Sequence, residues 1–178
     1  MVVGPYENEA IRPHVFGRFG DLLVASASHP AMLTYLDQFQ SVGPDSPGAQ
    51  FVRRRQNRQA GLNENLAREI LELHTVGVDG GYSQADVTEF ARAMTGWSIG
   101  GPREPQRQGQ FVFRAATHEP GVRTIMGKRY AQDGVGQAAA VMADLAASPA
   151  TARHVCGKIA RHFVADEPPA ACLTPSWS

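Results

Sequence analysis

Residues 62–97, LNENLAREILELHTVGVDGGYSQADVTEFARAMTGW, constrain the fold more than any other part of the 178-residue chain. They read as two capped amphipathic helices joined by a glycine-rich turn. Asn63 is a side-chain cap, and Glu64 puts a carboxylate in the first turn, at the positive end of the helix dipole. The first helix therefore starts near Glu64. At about 100° of rotation per residue, Leu66, Ala67, Ile70, Leu71 and Leu73 share one side, with His74 among them. Glu64, Arg68 and Glu72 fall on the opposite side at i, i+4 spacing, as solvated pairs worth about 0.2–0.5 kcal/mol each. Glu69 lies at the flank of the apolar stripe, where burial is costly unless an arginine, a histidine or a metal meets it.

The second helix is announced by Ser83 and Asp86, an S-x-x-D capping box, ahead of Val87, Phe90, Ala91 and Met94 at helical spacing. Gly96 stops it. Gly77, Gly80 and Gly81 permit the reversal between the helices, which should form a hairpin or corner with facing apolar stripes. The run from Asp79 to Asp86 also imitates the back half of a calcium loop. Aligned on Gly80, however, the first and third ligand positions are Thr75 and Gly77 and the last is Asp86 rather than glutamate, which favours the capping box over calcium.

The rest of the chain organises around helices. Pro13 suits a first-turn position, followed by an apolar stripe of Val15, Phe16, Phe19, Leu22 and Leu23 running towards Ala27. Pro30 starts a short helix through Met32, Leu33, Tyr35 and Leu36. Residues 44–61, opening on a Gly, Pro, Ser and Asp cluster and containing Arg53, Arg54, Arg55 and Arg58, read as an exposed basic loop. Phe111-Val112-Phe113 and Thr124-Ile125-Met126 are expected to pair as a hairpin around His118-Glu119-Pro120-Gly121, leaning on the helices because two strands alone are marginal. The last two helices span 134–147 and 149–164, the latter capped by Ser148. On it, Cys156 sits among Ala152, Val155, Ile159 and Phe163, an apolar face expected to pack in the core, while His154, Lys158, Arg161 and His162 form a basic side expected to face solvent. The fold class expected is mainly α, an irregular helical bundle with one small antiparallel β-hairpin.

The block at 62–97 resembles the signature of the bacterial family called domain of unknown function 1800. The resemblance extends to HVFGRFGDLLVASASHPAMLTYLD before it and to FVFRAATHEPGVRTIMGKRY and ASPATARHVCGKIARHFVADEPP after it. It implies a mainly helical protein, often exported and often encoded beside a sulfatase-like partner, with no established activity to carry over. It is therefore this resemblance that suggests an exported or periplasmic location. Residues 1–169 read as a partial helical domain resembling the family core, with 44–61 a loop inside it and 170–178, AACLTPSWS, a divergent tail. Members of the family are longer, so the chain reads as a fragment whose helix faces lack partners.

Composition narrows the classes further. With 17 Lys+Arg against 17 Asp+Glu, the zero formal charge argues against a general nucleic-acid binder. No run of apolar residues is long enough for a membrane span, and Cys156 and Cys172 have neither metal nor redox spacing. The six histidines lack H-x-x-x-H or H-E-x-x-H spacing, so any metal site would be assembled across helices, and there is no nucleophile elbow, Walker loop or dinucleotide fingerprint; cofactor and metal content stay unknown at this level. The candidate catalytic residues are Glu69, His74 and His118. His74 is the ionisable ring in an apolar stripe, Glu69 its neighbour on the flank, and His118 stands at a loop tip, where sites tend to lie. Two readings of different class fit these residues. One is a binding or scaffold module acting with a separately encoded partner, in which they are structural polar groups satisfied internally. The other is an exported enzyme, a metal-assisted hydrolase with a pocket between the Glu69/His74 helix and the His118 loop.

Overall fold

The computed structural model describes residues 3–56 and 61–169. Arg58, Cys172 and the expected divergent tail at 170–178 lie outside the described residues. Helix α1 (Val3–Tyr6) runs into a π-turn (Glu7–Ile11) and a 3-10 turn (Arg12–His14), and is followed by α2 (Phe19–Ser28), α3 (Pro30–Tyr35) and α4 (Pro47–Gln56). Then come α5 (Asn65–Glu69), continued by a second π-turn (Ile70–His74), and α6 (Gln84–Met94). Strands β1 (Trp97–Ile99), β2 (Phe111–Phe113), β3 (Arg123–Ile125) and β4 (Lys128–Tyr130) precede α7 (Val135–Ala146) and α8 (Pro149–Phe163). The fold is mainly α, as expected.

The core is built from the two helices that the 62–97 block encodes. Leu66, Ala67, Ile70 and Leu71 pack with Val87, Phe90, Ala91 and Met94, and the cluster extends to Leu23 and Ala27 of α2, Leu33 of α3, Trp97, Ile125 and Tyr130 of the strands, and Ala138, Val141 and Met142 of α7. The caps at Ser83 and Ser148 are the ones expected, while the N-cap of α5 is Glu64, one residue after the expected Asn63, whose side chain reaches over it. Asn63 Oδ1 accepts from Asn65 N–H at 2.8 Å, and Ser83 and Asp86 satisfy each other's backbone in a reciprocal box. Ser148 Oγ likewise accepts from Ala150 N–H at 3.2 Å to start α8.

Four local expectations are corrected. The helix expected to open at Pro13 starts at Phe19 instead: Gly17 N–H closes a turn on the His14 carbonyl at 2.9 Å, Arg18 is extended, and Phe16 is left 102% exposed. The expected basic loop at 44–61 is helical from Pro47 to Gln56. Ser46 Oγ accepts from Ala49 N–H at 3.2 Å and Pro47 occupies the first turn, a start signal masked by the loop-like composition around it. Both expected strands exist but do not pair with each other. β2 is antiparallel to β1, with Trp97 opposite Phe113, and β3 is antiparallel to β4, with Ile125 opposite Lys128. Met126 and Gly127, at φ 48° and 76°, make the two-residue turn that joins β3 to β4, so Met126 is in the turn rather than the strand. Finally, α8 meets the protein through Thr151, Gly157 and Ala160, and its apolar side does not enter the core: Cys156 is half-buried, Ile159 is 54% exposed and Phe163 is 78% exposed.

Candidate functional site

Two of the three sequence candidates meet where α5 gives way to the π-turn. Thr75, fully buried, donates its hydroxyl to the Ile70 carbonyl at 2.7 Å, five residues back, and Gly77 N–H donates to the Leu71 carbonyl at 3.0 Å. A π-turn holds more residues than an α-turn and shifts the phase of the residues after it. Leu73, expected in the apolar stripe, is accordingly 47% exposed. His74 is half-buried, with Glu69 beside it. Burial pushes the His74 imidazole below its usual range; the Glu69 carboxylate opposes that shift and Lys158 adds to it. The ring is neutral at neutral pH.

Helix α8 completes this corner. Lys158 Nζ donates to the Leu73 carbonyl at 3.1 Å, and His154 Nε2 lies 3.4 Å from the same oxygen. Gly77 has φ 86°, and a Cβ there would stand 2.6 Å from His154 Nδ1, so only glycine lets the two segments approach this closely. His154 and Lys158, expected on a solvent-facing basic side, thus reach back to the π-turn. The corner gathers Glu69, His74, His154 and Lys158: one acid, two imidazoles and an ammonium. Sequence reasoning missed the last two because periodicity marks a basic side without saying what it meets.

His118 lies elsewhere. Its Nδ1–H donates to the Thr95 carbonyl at 2.8 Å, and its ring stands edge-on to Phe113 at 5.2 Å. Glu119, 3% exposed, donates its N–H to Thr95 Oγ1 at 2.7 Å, and its Oε2 accepts from Asp45 N–H at 2.8 Å. Gly43 packs so tightly on this side chain that a Cβ would come within 2.5 Å of Oε2. The His118-Glu119 pair therefore clamps the end of α6 to the segment before α4. Helices α5 and α6 run antiparallel, with Glu64 bonded to Thr88 at 2.6 Å and Arg68 to Gln84 at 2.8 Å. The Glu69/His74 corner thus lies beyond the start of α6, while His118 sits at its end, roughly 16 Å of helix away. The same bonds show that Glu64, Arg68 and Glu72, expected as solvated pairs, are partly interhelical: Arg68 meets both glutamates and Gln84. Among the described residues, no group of three or more His, Cys, Asp or Glu side chains is arranged to hold a metal ion. An open groove of about 570 Å³ beside Asp37, Asn63 and Glu64 includes none of the three candidates.

The profile of the family described as protein of unknown function, DUF1800, matches residues 1–177. The chain belongs to the DUF1800 family. Neither a curated protein nor a solved structure matches it. The match takes in the π-turn corner, the His118 clamp and α8 alike, and the family description carries no activity, so function has to be argued from the side chains of this DUF1800 chain. No helix among its described residues is long and apolar enough to cross a membrane. Its most unusual surface is on α8, an amphipathic helix that docks by small and polar residues and turns Ile159 and Phe163 to solvent. Surface helices ordinarily do the opposite.

Proposed function

We infer that this DUF1800 chain is a binding or scaffold module acting with a separately encoded partner. The outward apolar side of α8 is the observation that carries this reading, because exposed large apolar groups in line mark interaction sites. One of the three candidates supports it: His118 Nδ1, together with the backbone N–H and one carboxylate oxygen of its neighbour Glu119, is engaged in internal hydrogen bonds that join distant segments. A sulfatase-like protein, the partner that the family resemblance implies, is the first to test. Mixing the two purified proteins and measuring mass by light scattering should give a complex with wild type. The complex should be lost with Ile159→Asp/Phe163→Asp while the thermal midpoint of the chain itself is unchanged. A complex indifferent to those substitutions removes α8 from the reading.

A second reading, a metal-assisted hydrolase, draws on the neutral His74 imidazole beside Glu69, whose carboxylate favours uptake of a proton that Lys158 opposes. His118 then serves a separate place at the far end of α6. Elemental analysis of the purified protein and of His74→Ala tests it: stoichiometric metal in the first and its loss from the second would favour the enzyme.

A further inference from the structure

We propose that the outward seam of α8 receives an amphipathic helix with acidic flanks, supplied by another polypeptide. The proposal rests on the binding reading above and specifies the chemistry of the partner. Ala152, Cys156, Ile159 and Phe163 follow one another at spacings of four, three and four, the spacing of a helix-to-helix seam. Such a seam is narrower than the apolar face of a helix that lies in a lipid surface, so the spacing favours a single helix as occupant. Val155 widens it only on one side. Its lower half, Ile159 and Phe163, is open to solvent, and its upper half, Ala152 and Cys156, is half-buried.

Charge decides between a second copy and a different chain. Arg153 flanks the seam on one side and His162 on the other, with Lys158 and Arg161 further round, and no Asp or Glu occurs between Ser148 and Ala165. Arg153, Arg161 and His162 are exposed. Two copies of α8 laid together would present only basic groups to one another, whereas carboxylates beside the partner's seam would meet Arg153 directly. Glu69 acts on His74 at the π-turn, the same corner that Lys158 and His154 meet through the Leu73 carbonyl, on the body side of the helix and away from the outward flank.

The test uses the full chain and two labelled amphipathic peptides with leucine at the seam positions, one carrying Glu and the other Lys at the flanks, read by fluorescence anisotropy at low and high salt. The Glu peptide should bind and the Lys peptide at least about tenfold more weakly, with the difference shrinking as salt rises. Ile159→Asp/Phe163→Asp should weaken the Glu peptide by about tenfold or more, and Arg153→Glu, an exposed change, should shift preference towards the Lys peptide. Equal binding of the two peptides, or none of the Glu peptide, overturns the proposal. Sedimentation that shows self-association abolished by Ile159→Asp/Phe163→Asp replaces the partner by a second copy, which keeps α8 as a binding surface but removes the separately encoded partner from the reading above. Co-sedimentation with phosphatidylserine vesicles in the absence of Glu-peptide binding replaces it by a lipid surface. A lowered thermal midpoint in the double variant means that the seam is packed within the chain, and then both readings fall.

Discussion

Replacing Asp86 by alanine removes one carboxylate that holds two parts of the fold. Asp86 Oδ2 accepts from Ser83 N–H and from the Ser83 hydroxyl, both at 2.7 Å, and Oδ1 accepts from Met126 N–H at 2.6 Å, in the turn between β3 and β4. Loss of the cap interaction costs about 1 kcal/mol, within a usual range of roughly 0.5–2. The Met126 N–H is exposed and water replaces most of its bond, so that loss adds about 0.5–1.5 kcal/mol. The expected cost is about 2 kcal/mol, which lowers the thermal midpoint of a chain this size by roughly 4–8 °C. Asp86→Asn keeps an oxygen for Met126 but sets an amide against the Ser83 donors, and should cost about half as much. Urea unfolding at neutral pH measures both, and hydrogen exchange at the Met126 amide should quicken in the alanine variant. The pH dependence has its origin in the same bonds. Burial raises the Asp86 carboxyl, but the hydrogen bonds from Ser83 and Met126 outweigh it and hold the group below its ordinary value. A folded pKa lowered in this way contributes stability that is complete above the unfolded value, about 4, and is lost as pH falls through the folded one. The alanine variant should therefore lose less stability than wild type on the acid limb. A cost under about 0.5 kcal/mol, or an unchanged Met126 exchange rate, would refute the view that this carboxylate joins helix and hairpin.

Backbone and charge give two further expected outcomes. Met126→Asn should raise the urea midpoint by the equivalent of about 0.5–1 kcal/mol, because φ 48° suits asparagine ahead of Gly127 far better than an unbranched apolar side chain. His74→Leu should flatten stability on the acid side of the unfolded imidazole value, about 6.5: burial lowers the folded pKa, so wild type loses stability as pH falls below that value. Wild-type and leucine curves of equal slope would place His74 in water.

What the sequence disclosed was local chemistry. The Ser83/Asp86 box, the Asn63 side-chain bond, the Ser148 start and the buried stripe from Leu66 to Leu71 could be read because each depends on residues within one or two helical turns. The π-turn could not, since it depends on the buried Thr75 hydroxyl reaching the Ile70 carbonyl, and the shift in phase exposed Leu73. The strand at 111–113 was visible and the one expected at 124–126 was visible one residue out of place, whereas its end and its partner depended on positive φ at Met126, a residue that rarely announces a turn. Ser46-Pro47 is a sound helix start hidden in a stretch whose composition looks like loop. At the candidate site, Glu69 and His74 stood out as a conflict between polarity and periodicity. His154 and Lys158 did not, because the facing of α8 is set by the close approach at Gly77 and not by its own pattern. The separation of His118 from that corner came from the antiparallel packing of α5 on α6, a tertiary fact.

The clamp between Glu119 and Asp45 joins positions 74 residues apart, and it has a consequence for how the chain is made. When 43–49 leaves the ribosome, the surface it will rest on, the Ala115–Thr117 turn and the Glu119 carboxylate, has yet to be synthesised. At about 5–20 residues per second that delay lasts several seconds, far longer than a helix needs to form or melt. Helix α4 therefore lacks this support while α5 and α6 emerge and pair, and the segment at 43–49 can lock only after residues 115–119 have arrived. During translation the order of assembly runs from the middle of the chain outward, and the early segment is the one that a chaperone or protease meets first.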